Sequence, residues 1–157
     1  MPAMARFFTT FRLSPDQVAL AFPLVHAAVP VVDLRAWQDF MQATVAAAEQ
    51  PTVGALGLRH EGGYLCGLIV YRKQRDLRHG MTLVVDLFVA LDVVSEGAAA
   101  QALLHAAEAM ARDLGCAAVH IRLNADWQSL TDHISSYGYG ADAQILAKPL
   151  QPAPPSH

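Results

Sequence analysis

The sequence predicts a mixed α/β (α+β) domain with the element order βααβββαβαβ, a mixed central sheet and helices on both of its faces. Three observations lead to that class. Apolar segments between Thr52 and Leu91 are broken by Glu61-Gly62-Gly63 and by a polar stretch, as an antiparallel meander of three strands requires. The third segment, Met81–Leu91, is apolar at nearly every position, as a strand covered on both faces is. A long Ala-rich helical pattern then leads from Gly97 to another apolar segment at Cys116–Leu123. Strand, helix and strand make a right-handed crossover, which places the two strands side by side and parallel.

Taken in order, Arg6–Leu13 carries β-prone Phe and Thr and reads as the first strand. Ser14-Pro15-Asp16-Gln17 combines an N-cap, a Pro at the first helical position and a capping-box Gln. The helix it starts presents Val18, Ala21, Phe22 and Val25 on one face, and Pro23 is expected to kink or shorten it. Asp33 caps a second helix, with Leu34, Trp37, Met41, Val45 and Ala48 at helical spacing up to Gln50-Pro51. The meander follows as Val53–Leu58, Tyr64–Tyr71 and Met81–Leu91. Gly97–Leu114 is a helix with Leu103, Ala107, Met110 and Leu114 inward, stopped by Gly115. Cys116–Leu123 is the next strand, Asp126–Tyr137 a shorter helix and Gln144–Leu150 a last strand. Residues 1–150 form one domain, and the tail Gln151–His157, with three prolines, is loose.

At 157 residues the chain has the size of one domain and can bury a core without disulfides or metal. It is 54% hydrophobic and 16% charged, which excludes an intrinsically disordered chain. A formal charge of −3 supplies no general attraction to nucleic acid or acidic membrane. Cys66 and Cys116 have no Cys or His at metal-ligand spacing and read as buried thiols in a reducing compartment. No secretory signal and no apolar run of membrane-spanning length stands in the sequence, so the expected location is cytoplasmic. No metal and no nucleic-acid partner is expected. The sheet edge and the Ala-rich helices leave room for a homodimer.

Several local features go with this order: Asp86-Leu87-Phe88-Val89, then Ser95–Gln101, Ala102-Leu103-Leu104, Ala111–Cys116 and the turn Ser136-Tyr137-Gly138-Tyr139. Over nearly the whole chain the pattern resembles the GNAT superfamily of acetyl-CoA-dependent N-acetyltransferases. The resemblance implies transfer of an acetyl group from acetyl-CoA to a primary amine of a small molecule or peptide. It also implies a cofactor site. The backbone of Leu87, Phe88 and Val89 would receive the pantetheine, and Ser95, Gly97, Ala98, Ala99, Ala100 and Gln101 the pyrophosphate. A helix N-terminus suits that purpose because its first amides lack intrahelical partners and carry a partial positive charge. The family pattern of Gln or Arg, two residues, Gly, one residue, then Gly or Ala falls on Ser95, Ala98 and Ala100, of which only Ala100 conforms. Glu96 and Asp92 add negative charge there.

Acetylation of an amine needs an uncharged nitrogen and a departing thiolate. Asp86, an acidic residue inside an apolar strand, is the candidate base; the alternative is a structural carboxylate that accepts hydrogen bonds. Many family members place a Tyr acid five residues before the final aromatic of the terminal turn, where this chain has Ile134. These departures keep open a catalytically degenerate GNAT-like domain with a ligand-sensing or protein-interaction role. Of the remaining signals, Arg72, Lys73, Arg75 and Arg78 read as a basic hairpin tip and His120 as a core histidine on an inner strand. Ser129, Asp132 and His133 are triad residue types on one short helix without a nucleophile elbow, and Trp37 and Trp127 read as core or cleft-edge aromatics.

Overall fold

A computed structural model describes residues 7–91 and 97–152. Its strands are β1 (Phe8–Arg12), β2 (Val53–His60), β3 (Leu65–Asp76), β4 (Gly80–Ala90) and β5 (Ala118–Ile121). Its α-helices are α1 (Phe22–Ala28), α2 (Leu34–Ala46), α3 (Ala98–Asp113) and α4 (Gln128–Ser135). The strands lie in the order β1-β2-β3-β4-β5, antiparallel except for the parallel β4–β5 pair. The expected meander and crossover are both present.

Each sheet face is covered. Alternation along β3 sends Leu68 and Val70 toward one side and Ile69 and Tyr71 toward the other. The first side is closed by Val18, Leu24 and Val25 together with Trp37 and Met41 of α2. Trp37 is fully enclosed, and its indole N–H donates to the Val18 carbonyl at 2.7 Å, which satisfies its polar edge. On the second side, α3 presents Ala99, Ala100, Leu103, Leu104, Ala107 and Ala111, and α4 adds Ile134. The small side chains of α3 let the helix settle close to the sheet, most tightly where Leu103 meets Gly67. A Cβ on Gly67 would fall 2.8 Å from Leu103 Cδ1.

Two side chains tie helix ends to strands. The Arg12 guanidinium donates to the carbonyls of Ala48, Gln50 and Val53, gathering the end of α2 and the start of β2. The Lys73 ammonium donates to the Leu114 carbonyl at the end of α3, where the helix dipole favours a cation.

Four expectations need correction. Pro23 does not interrupt the first helix but begins it. Residues Pro15–Gln17 and Ala19–Ala21 are short 3-10 turns, and α1 opens with Phe22-Pro23, where a missing N–H costs nothing. Second, α2 ends at Ala46, short of Gln50-Pro51, and a turn follows. Third, Arg72, Lys73 and Arg75 lie within β3, which leaves only Arg78 at the hairpin tip. Fourth, Gln144–Leu150 forms no strand: Ile145, Leu146 and Leu150 stand exposed, and β5 ends the sheet. Its apolar composition matched a strand, but β5 is only four residues long and offers little ladder to extend.

Leu103→Ala should lower the free energy of unfolding by about 2–5 kcal/mol, because the cavity opens between a rigid sheet and a packed helix. Urea unfolding followed by circular dichroism measures it.

Candidate functional site

Parallel pairing between β4 and β5 runs from Thr82↔Ala118 to Val85↔Ile121 and closes with the Arg122 amide donating to the Val85 carbonyl at 3.0 Å. Beyond it, Leu87–Ala90 stays paired with β3 but has no parallel partner among the described residues. The parallel ladder therefore stops short beside Leu87–Ala90, and this opening in the pairing lies toward the carboxyl ends of the two strands, where open α/β sheets receive ligands.

A bulge sits at the mouth of this opening. On β3, Val70 and Tyr71 are consecutive, while their β4 partners are Leu87 and Val85, so Asp86 is the extra residue. The bulge reverses which residues face which helices. Leu83 and Val85 pack toward α3; simple alternation would continue with Leu87 and Val89, but the extra residue gives that side to Phe88 and turns Leu87 and Val89 toward α2. The side chains of Phe88 and Val89 are thereby committed to the core, and what β4 can offer a ligand here is backbone.

Asp86 is held by Arg72, whose Nε donates to Oδ2 at 2.8 Å and whose Nη2 donates to Oδ1 at 3.3 Å. Both carboxylate oxygens thus meet one guanidinium in a two-point pair. No spacing in the sequence announces this contact, because the ladder partner of Arg72 is Val84 and Asp86 stands out of register at the bulge.

The helix that follows the opening starts at Gly97, in the left-handed region at φ 80°. Its carbonyl accepts the Gln101 amide at 2.9 Å. Ala98, Ala99 and Ala100 are all buried, with Ala100 fully enclosed, so their methyl groups belong to the core. Gln101 is partly buried at the end of the first turn. Ser95, Glu96 and Asp92 lie outside the described residues.

His133 of α4 closes over this helix start. Its Nε2 stands 3.4 Å from the Gly97 carbonyl oxygen, and a Cβ built on Gly97 would fall 2.1 Å from the ring. Glycine is therefore required at 97 twice, by its backbone angle and by the imidazole above it. Tyr137 packs edge-on against His133, with ring centroids 5.1 Å apart. Neighbouring Ile134 is buried beneath, so the position that carries an acid in the resembled family here fills the core. Tyr139 is committed elsewhere. Its hydroxyl donates to Glu108 Oε2 at 3.0 Å, and burial, with the Glu108 carboxylate beside it, raises the phenol above its ordinary range.

No protein-family model matches the sequence, and no curated protein matches it. Solved structures do match. One is an aminoglycoside N-acetyltransferase in complex with CoA, at a TM-score of 0.73 and 10% identity, covering 91% of this chain and 94% of that one. Another is a ribosomal-protein-alanine N-acetyltransferase from Brucella melitensis, at 0.69 and 16%, covering 92% and 99%. The chain has the GNAT fold. A third structure, described as a transcriptional regulator from Bacillus halodurans, matches at 0.72 and 10% identity over 91% and 99%. Likeness at such identity establishes the architecture, and the chemistry must be argued from the site.

Gly97→Ala should destabilise the fold by about 1–3 kcal/mol, from the strained φ and the collision with His133. Adding His133→Ala should return the steric part and leave the backbone part. A double-mutant cycle by chemical unfolding should show the two changes to be strongly non-additive.

Proposed function

We propose that this chain transfers an acetyl group from acetyl-CoA to the primary amine of a small molecule or peptide. One observation carries the reading: the parallel ladder stops at Val85 and Ile121 while β4 runs on, and the helix that follows β4 in sequence begins Gly-Ala-Ala-Ala. An opening lined by backbone suits an extended amide-bearing arm such as pantetheine, which pairs as a strand does. Small residues let a diphosphate approach the helix N-terminus, where its charge is favoured. The structural neighbours solved with CoA, and with a CoA bisubstrate analogue of an aminoglycoside, support the same use of the fold.

In this reading the backbone of Leu87, Phe88 and Val89 faces the pantetheine. Ser95, Gly97, Ala98, Ala99, Ala100 and Gln101 surround the pyrophosphate, with His133 beside the same helix start. Acetyl-CoA supplies the thioester. The amine, once neutral, attacks the carbonyl carbon; the new C–N bond forms, the C–S bond breaks, CoA leaves as the thiolate, and the proton shed by the acylated nitrogen passes to water or to the thiolate.

In this reading Asp86 takes the ammonium proton through water, and the Arg72 pair fixes the carboxylate's direction. Ile134 is buried and carries no acid, so in this reading the departing thiolate takes its proton from the new amide nitrogen or from water.

The Arg72 pair favours a second reading of Asp86, an anchor that holds the bulge. The two roles separate experimentally. Calorimetric titration with acetyl-CoA should give one micromolar site in the wild type. Asp86→Asn should keep that affinity and lower kcat by about 10²-fold or more with an acceptor amine. A loss of stability with unchanged kcat would assign Asp86 to the anchor role. Absence of any heat or thermal shift with acetyl-CoA would overturn the transferase reading in favour of a domain that acts through ligand sensing or protein contacts.

Position 100 offers no clean probe of this site. A large side chain there, as in Ala100→Tyr, would have to enter the packed core and should unfold the protein rather than block a ligand. Thermal denaturation of that variant without ligand checks this.

A further inference from the structure

Around the β3–β4 hairpin turn and β5, three segments remote in sequence bring four ionisable side chains together. Asp76 ends β3, and its Oδ2 accepts the amides of Arg78 at 3.0 Å and His79 at 2.9 Å, which sets the carboxylate at the hairpin turn. His79 stands in that turn, His120 projects from β5, and Asp142 comes from the segment after α4. Both imidazoles approach one oxygen: His79 Nε2 lies 3.1 Å and His120 Nε2 3.2 Å from Asp142 Oδ2. The two rings meet edge to face, with centroids 5.4 Å apart. Asp76, His79 and His120 each offer a ligand atom within 4.8 Å of the others.

His120 gives the second, independent indication. Its Nε2 is shut off from solvent and makes no well-formed hydrogen bond; the distance to Asp142 is short enough, but the direction is wrong. An imidazole nitrogen in that state lacks an electrophilic partner on its lone pair, or an acceptor for its proton.

We propose that Asp76, His79, His120 and Asp142 form a binding site for a divalent first-row transition metal ion of the zinc type. The donor set decides the class of ion: two imidazole nitrogens with two carboxylates suit zinc, nickel or copper, whereas magnesium and calcium take oxygen ligands. Tetrahedral zinc with bonds of about 2.0–2.2 Å separates its ligand atoms by about 3.4 Å, close to the two contacts with Asp142 already present. Two carboxylates balance the ion's charge. Arg78 lies on the other oxygen of Asp142, at 3.5 Å from Oδ1, and is largely exposed, so it can turn into solvent as the ion enters. The site is separate from the acyl-transfer reading. Its direct effect is to fasten the segment after α4 to the sheet edge.

Untagged protein stripped with a chelator should bind one Zn²⁺ per chain in calorimetry, and Mg²⁺ should give no heat. Co²⁺ in place of zinc should show the visible absorption of a tetrahedral N/O site. His79→Ala, His120→Ala and Asp142→Asn should each weaken Zn²⁺ binding by roughly tenfold or more. His79 and Asp142 lie at the surface, so the metal-free His79→Ala and Asp142→Asn variants should melt as the wild type does. The proposal is overturned if wild-type protein shows no saturable Zn²⁺ binding, or if both His79→Ala and Asp142→Asn retain wild-type affinity.

Discussion

The facing of β4, and with it the packing of that strand against both helical layers, depends on one extra residue and the ion pair that sits on it. Asp86 interrupts the antiparallel ladder with β3, and Arg72 of β3 reaches back to grip both of its oxygens. Arg72 is 43% exposed, so the pair contributes about 1 kcal/mol or less by direct attraction. Its importance is geometric. A bulge bends its strand and increases the local twist, and here the parallel partner is lost one residue earlier. The same step changes the facing of β4, so that odd-numbered residues meet α3 before the bulge (Leu83, Val85) and α2 after it (Leu87, Val89).

The two layers meet that requirement with different materials. On one side, aromatic and sulfur-bearing side chains from α2 fill a deep gap, with Trp37 and Met41 fully enclosed. On the other, α3 is built of alanine with leucine at intervals, which brings its axis close to the sheet and its first turn close to the opening. The helix start is then sealed by α4 through His133. The methyl groups of Ala98, Ala99 and Ala100 thus anchor the first turn of α3 to the core.

Much of this was legible in the sequence. The meander, the crossover, Asp33 as an N-cap and the stop at Gly115 are each written in local chemistry: turn glycines, alternation, a carboxylate ahead of a helical run. What could not be read depends on contacts between distant residues. The Arg72–Asp86 pair needs the bulge, which no residue type demands, and the cover of Gly97 by His133 spans two helices. His120 read as an inner-strand residue because β5 was expected to be flanked by a further strand, and at the true edge of the sheet it meets a carboxylate instead. The segment Gln144–Leu150 misled for the opposite reason: its composition is that of a strand, and composition does not supply a partner.

The strand lengths have a consequence for the molecule among its copies. The three inner strands run 8, 12 and 11 residues, whereas the outer two have only five and four. Another chain that paired with β1 or β5 would gain only a handful of ladder bonds, although Leu87–Ala90 of β4 runs on beyond β5 without a parallel partner among the described residues. The most apolar strands are kept inside the taper. Growth of the sheet by addition of foreign strands, the route to fibrils, is therefore discouraged by shape alone.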